Sequence, residues 1–104
     1  MLKREVLPHL LQLANQYSAI AILGPRQAGK TTLAQQAFPQ HAYISLEESL
    51  GAQEYAKTDP QGFLNSFGNP PGIIIDEFQH APVLLSYIQL AIDAKKRPGY
   101  FILT

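Results

Sequence analysis

Gly24-Pro25-Arg26-Gln27-Ala28-Gly29-Lys30-Thr31 fits the spacing GxxxxGK[ST], and the reading of every flanking segment follows from it. Phosphate oxygens are best met by a ring of backbone N–H groups, and glycine at both ends of the octapeptide permits the turn and the close approach. If a strand enters this loop and a helix leaves it, the helix N-terminus adds its partial positive charge and unpaired N–H donors to the same anion. The spacing therefore predicts a phosphate cradle running from Gly24 through Thr31 into Thr32, with Lys30 reaching the β and γ phosphates and Thr31 giving its hydroxyl to Mg²⁺. A chain of this length meets the pattern by accident roughly once in a few hundred cases, so the segments on either side decide the matter.

Those segments alternate between apolar runs and helical patterns. Upstream, Val6, Leu10, Leu13, Ala14 and Tyr17 recur at spacings of three and four, an amphipathic helix with Pro8 tolerated in its first turn. The run at 18–23 reads as a strand buried on both faces, and a helix from about Gly29 stops before Pro39. Residues 42–46 read as a second strand, and 47–69 as one or two short helices with Asp59-Pro60 as a start signal. The run at 72–76 is a third strand, opened by the breaker Pro70-Pro71-Gly72. Pro82 opens a helix to about Lys96 with an apolar stripe of Leu84, Leu85, Ile88, Ala91 and Ile92, more core than partner groove, and with Lys95, Lys96 and Arg97 at its negative end. Residues 100–104 form a last strand. Strands alternating with helices give an α/β fold, a parallel sheet covered on both faces.

Asp76-Glu77 closes the apolar run Ile73-Ile74-Ile75. A carboxylate at the carboxyl end of a buried parallel strand lies in the crevice where open α/β sheets bind ligands. Asp76 is thus expected to hold Mg²⁺ through water, and Glu77 to orient and polarise an attacking water. Taken alone, the pair reads more readily as a solvated cap on the next helix, and the phosphate loop upstream reverses that preference. The second acid favours hydrolysis of a nucleotide over transfer of its phosphoryl group to a metabolite.

The bulk numbers bound the rest. At 104 residues there is room for one domain, and 46% hydrophobic with 15% charged residues describes a globular chain. Eight basic side chains balance eight acidic ones, so no net field draws the chain to nucleic acid or an anionic membrane. Without cysteine there are no disulfides or thiolate metal sites, and His9, His41 and His80 have no metal-ligand spacing. No stretch approaches the roughly 18 apolar residues of a membrane span, and no signal-peptide core precedes Pro8, so the cytoplasm is the expected address.

The whole series resembles the AAA+ branch of P-loop ATPases, and most closely prokaryotic AAA family ATPases whose loop reads GPRQxGKTTL, here residues 24–33. Further matching pieces are Tyr43-Ile44-Ser45-Leu46-Glu47, Asp59-Pro60 with Phe63-Leu64, Ile74-Ile75-Asp76-Glu77-Phe78-Gln79, Pro82 with Leu84-Leu85, and Phe101-Ile102-Leu103-Thr104. The resemblance implies ATP as the nucleotide, a three-layer fold, and the sheet order 5-1-4-3-2. It implies that Thr104 is a sensor within reach of the γ phosphate, beside Glu77 and Lys30 in the catalytic set, while on sequence alone a bare strand-end hydroxyl is an equal reading of that threonine. Ser45, near the end of the second strand, is a weaker candidate to hydrogen-bond Glu77.

Members of that family continue past the sensor with a fifth strand, an arginine finger and a further domain. Residues 1–104 are accordingly expected to be the N-terminal part of an ATP-binding domain, with the run at 19–23 left at a sheet edge. No arginine finger is assignable, since Arg26 is inside the loop and Arg97 precedes the last strand. Two functions follow: an ATPase that turns over slowly until completed by missing elements, and a non-hydrolytic nucleotide-binding or regulatory protein that associates with itself or with a full-length homologue.

Overall fold

The computed structural model of the chain describes residues 2–23 and 29–104. Four strands form one sheet in the order β1-β4-β3-β2, where β1 is Ala19–Ala21, β2 Ala42–Ser45, β3 Ile73–Asp76 and β4 Phe101–Leu103. Every pairing is parallel, with Ile20 opposite Ile102, Ile102 opposite Ile74, and Ile74 opposite Tyr43. This is the order the resemblance implied for these strands, with β4 inserted between the strand before the phosphate loop and the acidic strand.

The helices cover both faces because the strands alternate. Ile73, Ile75, Phe101 and Leu103 pack on one side with Ala56, Phe63, Leu64, Leu84 and Ile88, from α3 (Leu50–Thr58), α4 (Pro60–Asn65) and α5 (Leu84–Ala94). Ile74, Ile102 and Ile20 face the other way, onto Leu10 and Ala14 of α1 (Leu2–Ala14) and Leu33 and Ala34 of α2 (Lys30–Ala37). The central strands are buried residue after residue, as parallel strands between two helical layers must be.

Asp59 punctuates the chain as its sequence suggests: its N–H closes α3 on the Tyr55 carbonyl at 2.8 Å, and its carboxylate accepts the Gly62 N–H of α4 at 3.0 Å, with Pro60 in the first turn. Glycine at 62 is required by that cap, since a Cβ there would lie 2.2 Å from Asp59 Oδ2.

Several boundaries differ from the sequence reading. Pro8 lies inside α1, not in its first turn, and Tyr17 falls beyond the helix, exposed. Burial of Leu10 and Ala14 against the sheet holds the helix through the missing N–H. The run at 18–23 is not buried on both faces: Ile20 is buried, whereas Ala21 and Leu23 are exposed. The reason is topological, because β1 is an edge strand with β4 as its one neighbour among the described residues. Leu46 has left β2 but is fully buried. At the other helix, Pro82 and Val83 form a tight turn in which Leu84 and Leu85 bond back three residues, so α5 begins at Leu84. It ends at Ala94, leaving Lys95, Lys96 and Arg97 in the following turn. Leu84 and Ile88 are core and Ala91 and Ile92 pack half-buried against it, but Leu85 is 45% exposed, so the stripe is covered at all but Leu85. None of the described helices is long and apolar enough to cross a membrane.

The layered core makes a direct prediction. Ile102 is fully buried at the centre of the sheet and Leu85 is 45% exposed on α5. Ile102→Ala should cost about 2–5 kcal/mol in urea unfolding, and Leu85→Ala less than about 1 kcal/mol. Equal losses would mean that the helical layers are not packed as described.

Candidate functional site at the carboxyl end of the sheet

Strand direction sends the ends of β3, β4 and β2 to one side of the sheet, where α2 also begins. Within β3 the side chains alternate, so Asp76 shares the face of Ile74 and projects toward α2. There its carboxylate, 8% exposed, accepts hydrogen bonds from three elements. Thr104 Oγ1 donates to Oδ1 at 2.6 Å, Tyr43 Oη donates to Oδ2 at 2.7 Å, and Thr31 Oγ1 donates to the same Oδ2 at 3.0 Å.

Burial alone pushes the Asp76 carboxyl up, but the bonds from Thr104, Tyr43, Thr31 and the Glu77 N–H outweigh it and hold the group below the usual carboxylate range. The same contact raises the Tyr43 phenol well above its ordinary value, through burial first and then through the bond to Asp76 and its charge. The tyrosine therefore stays a donor and the aspartate an anion.

The phosphate loop enters this description at its last residues, since 24–28 lie outside those described, and with them the sequence assignments for Gly24, Pro25, Arg26, Gln27 and Ala28. Gly29 caps α2 in the left-handed region at φ 78°, with open space where a Cβ would stand, so glycine is needed there for its backbone and not for room. Its carbonyl accepts the Leu33 N–H at 2.9 Å and starts the helix. Lys30 and Thr31 are half-buried in the first turn and Thr32 is exposed. Thr31 is thus brought to Asp76 as the spacing predicted. A threonine hydroxyl beside a carboxylate kept ionised is an all-oxygen, hard donor set, and that fits Mg²⁺.

Glu77 is the one described non-glycine residue with a positive φ, at 57°. The chain must turn sharply after β3: the Phe78 N–H reaches across to the Thr104 carbonyl at 3.2 Å, and residues 78–80 form a single 3₁₀ turn. The left-handed conformation swings the Glu77 side chain off the strand, where Gln79 Nε2 donates to its carboxylate. Glu47 and His80 stand beside it, the three ligand atoms lying within 4.8 Å of one another. Such exposed acids commonly gather without an ion, so the group adds negative charge and one imidazole to the rim of the site.

Thr104 is 2% exposed and spends its hydroxyl on Asp76. Ser45 does not bond Glu77; its hydroxyl accepts the Glu48 N–H at 3.2 Å, because β2 turns there and the N–H needs an acceptor. His41 is structural, its Nε2 donating to the Gly99 carbonyl at 2.8 Å, and Gly72 leaves space for the ring. Tyr43 was not singled out as a site residue by sequence reasoning. Its signal was a tyrosine inside an otherwise apolar strand, and its role depends on the β2–β3 register, which only pairing fixes.

A family model described as an AAA domain matches residues 16–104. No curated protein and no solved structure is significantly similar to the chain.

Two measurements test this geometry. The depressed Asp76 carboxyl contributes stability that is present above the unfolded carboxylate value and is lost as pH falls through the folded one. Thr104→Val should therefore cost about 1.5–3 kcal/mol in denaturant unfolding at neutral pH, with the gap to the parent closing below about pH 4. A gap independent of pH would remove Thr104 from the control of Asp76 ionisation. Glu77→Gly relieves a left-handed non-glycine residue, worth about 1–2 kcal/mol, against about 0.5–1 kcal/mol of added chain entropy. A small rise in thermal stability without nucleotide is expected, and a clear fall would contradict the strain at Glu77.

Proposed function

Because the chain belongs to the AAA domain family, a nucleotide-binding class, we propose that it binds MgATP at the carboxyl end of the sheet and hydrolyses it to ADP and phosphate. The observation that carries this reading is the convergence of Thr31, from the helix that follows the phosphate loop, with Asp76 and Thr104 at adjacent strand ends. The residues from Gly24 to Thr32 cradle the phosphates, and Lys30 balances the charge on the β and γ groups. Thr31 and Asp76 would hold the magnesium, the first through its hydroxyl and the second through water. When bound, that ion neutralises charge on the terminal phosphates and fixes their geometry.

Glu77 acts as the base that orients and polarises the attacking water. Its position one residue beyond Asp76, turned outward by a left-handed backbone, supports that role. Thr104 then has two tasks. It keeps Asp76 ionised through a 2.6 Å bond, and its place at the tip of the strand beside Asp76 supports a sensor role toward the γ phosphate.

Fast turnover needs a cation on the transition state, worth roughly 10³ to 10⁵ in rate when an arginine supplies it. Arg97 does not meet that need, since it precedes β4 and lies at the opposite end of the sheet from Asp76. An arginine from a second copy would accelerate turnover.

Lys30→Ala should abolish MgATP binding in calorimetry, and Glu77→Gln should retain binding while lowering any hydrolysis by at least about 100-fold. Unchanged affinity in the lysine variant would sink the phosphate-loop reading. Undiminished turnover in the glutamine variant would assign the water to another group.

A further inference from the structure

The amino end of the sheet, opposite Asp76, opens into a second polar cleft of about 320 Å³ between α4, α5 and the approach to β4. Its walls include Gln61, Leu64, Asn65, Asn69, Arg97 and Tyr100, and no acidic side chain lines it among the described residues. The volume is at the small end of the range for ligand pockets.

Arg97 is built into this wall. Its guanidinium carbon stands 3.6 Å from the centre of the Tyr100 ring. Its backbone N–H donates to Ser18 Oγ at 3.2 Å, and its carbonyl accepts the Tyr100 N–H at 3.1 Å. Yet its Nε is buried with no hydrogen-bond partner among the described residues. A guanidinium cannot shed its proton, so with Nε closed off beside the Tyr100 ring the cation must find its acceptors through its terminal nitrogens.

The two terminal nitrogens form the end-on edge of the guanidinium, parallel donors without a hydrogen-bond partner among the described residues, and they match the two oxygens of a carboxylate. Gln61 Nε2 donates to Asn65 Oδ1 at 3.3 Å, which leaves the Asn65 amide nitrogen as a further donor in the wall. Leu64, Ala91 and Phe101 supply apolar wall for a short carbon skeleton, and the exposed Lys95 and Lys96 precede Arg97 to draw an anion in.

We propose that this cleft is a binding site for an organic carboxylate, taken end-on by the terminal nitrogens of Arg97 with the side-chain amides of Asn65 and Asn69 as supporting donors. The carboxylate comes either from a small free acid or from an acidic side chain that another chain presents. The site is independent of the nucleotide reading, because it is formed by the strand starts and not by their ends.

The test is a titration of the full ¹⁵N-labelled chain with sodium succinate and, separately, with a tetraglutamate peptide, each against sodium chloride of equal ionic strength. Saturable movement of the Arg97 Nε–H and of the Asn65 and Asn69 side-chain amide signals is expected, with Lys30 and Thr31 unmoved. Response to succinate assigns a free acid, and response to the peptide alone assigns a presented side chain. Arg97→Gln should abolish the response. Asn69→Leu, which leaves the Arg97–Tyr100 stack intact, should weaken it by at least about fivefold and decides the matter if the arginine variant does not fold. Saturation by neither probe, equal response in Arg97→Gln, or saturable binding of inorganic phosphate or an oligonucleotide in place of both probes would overturn the proposal.

Discussion

A carboxylate buried at a strand end is costly unless donors surround it, and Asp76 obtains its donors from three parts of the chain far apart in sequence. Thr31 comes from α2, Tyr43 from β2 and Thr104 from the end of β4. Each bond requires a tertiary arrangement to be right: α2 laid over the face of Ile74, β2 in register with β3, and β4 inserted beside β3. The charge therefore checks the fold. A one-residue slip of β2 would turn Tyr43 to the opposite face and leave Oδ2 with one hydroxyl donor in place of two.

The same cluster explains why the site lies at this end of the sheet. All four strands run in one direction, so their carboxyl ends and the N-terminus of α2 meet on one rim. There the helix start supplies a positive partial charge and the strand ends supply oxygen ligands. The starts of the strands carry no acid cluster of that kind. They carry Arg97 held against Tyr100 at 3.6 Å, a cation with a buried donor.

Much of this was legible in the sequence, and for identifiable reasons. The phosphate loop has a fixed spacing, Ile73-Ile74-Ile75 before Asp76 is an unbroken apolar run, and Asp59-Pro60 is a local start signal. These are one-dimensional patterns. Tyr43 was hidden because its hydroxyl acts through strand register, and the left-handed Glu77 because its backbone is set by the Phe78 N–H reaching the Thr104 carbonyl. Arg97 looked like helix-end charge, and only the end of α5 at Ala94 and the packing on Tyr100 separate it from that role. The misreading of residues 18–23 as a doubly buried strand has a similar origin: composition records how apolar a strand is, but not whether it has one neighbour or two.

That last point bears on how the site is held. β1 leads into the phosphate loop, yet it is an edge strand whose bonds go to β4, among them the Ile22 N–H to the Leu103 carbonyl at 2.8 Å. β4 in turn ends in Thr104, the hydroxyl closest to Asp76. The entry to the loop and the sensor-type contact thus hang on the same strand, so a displacement of β4 moves both at once. Tyr43 and Thr31 approach Asp76 from the other side and do not share that dependence. The entry to the loop is consequently only as firm as the pairing of β1 with β4, which rests on a register of three residues from Ala19 opposite Phe101 to Ala21 opposite Leu103.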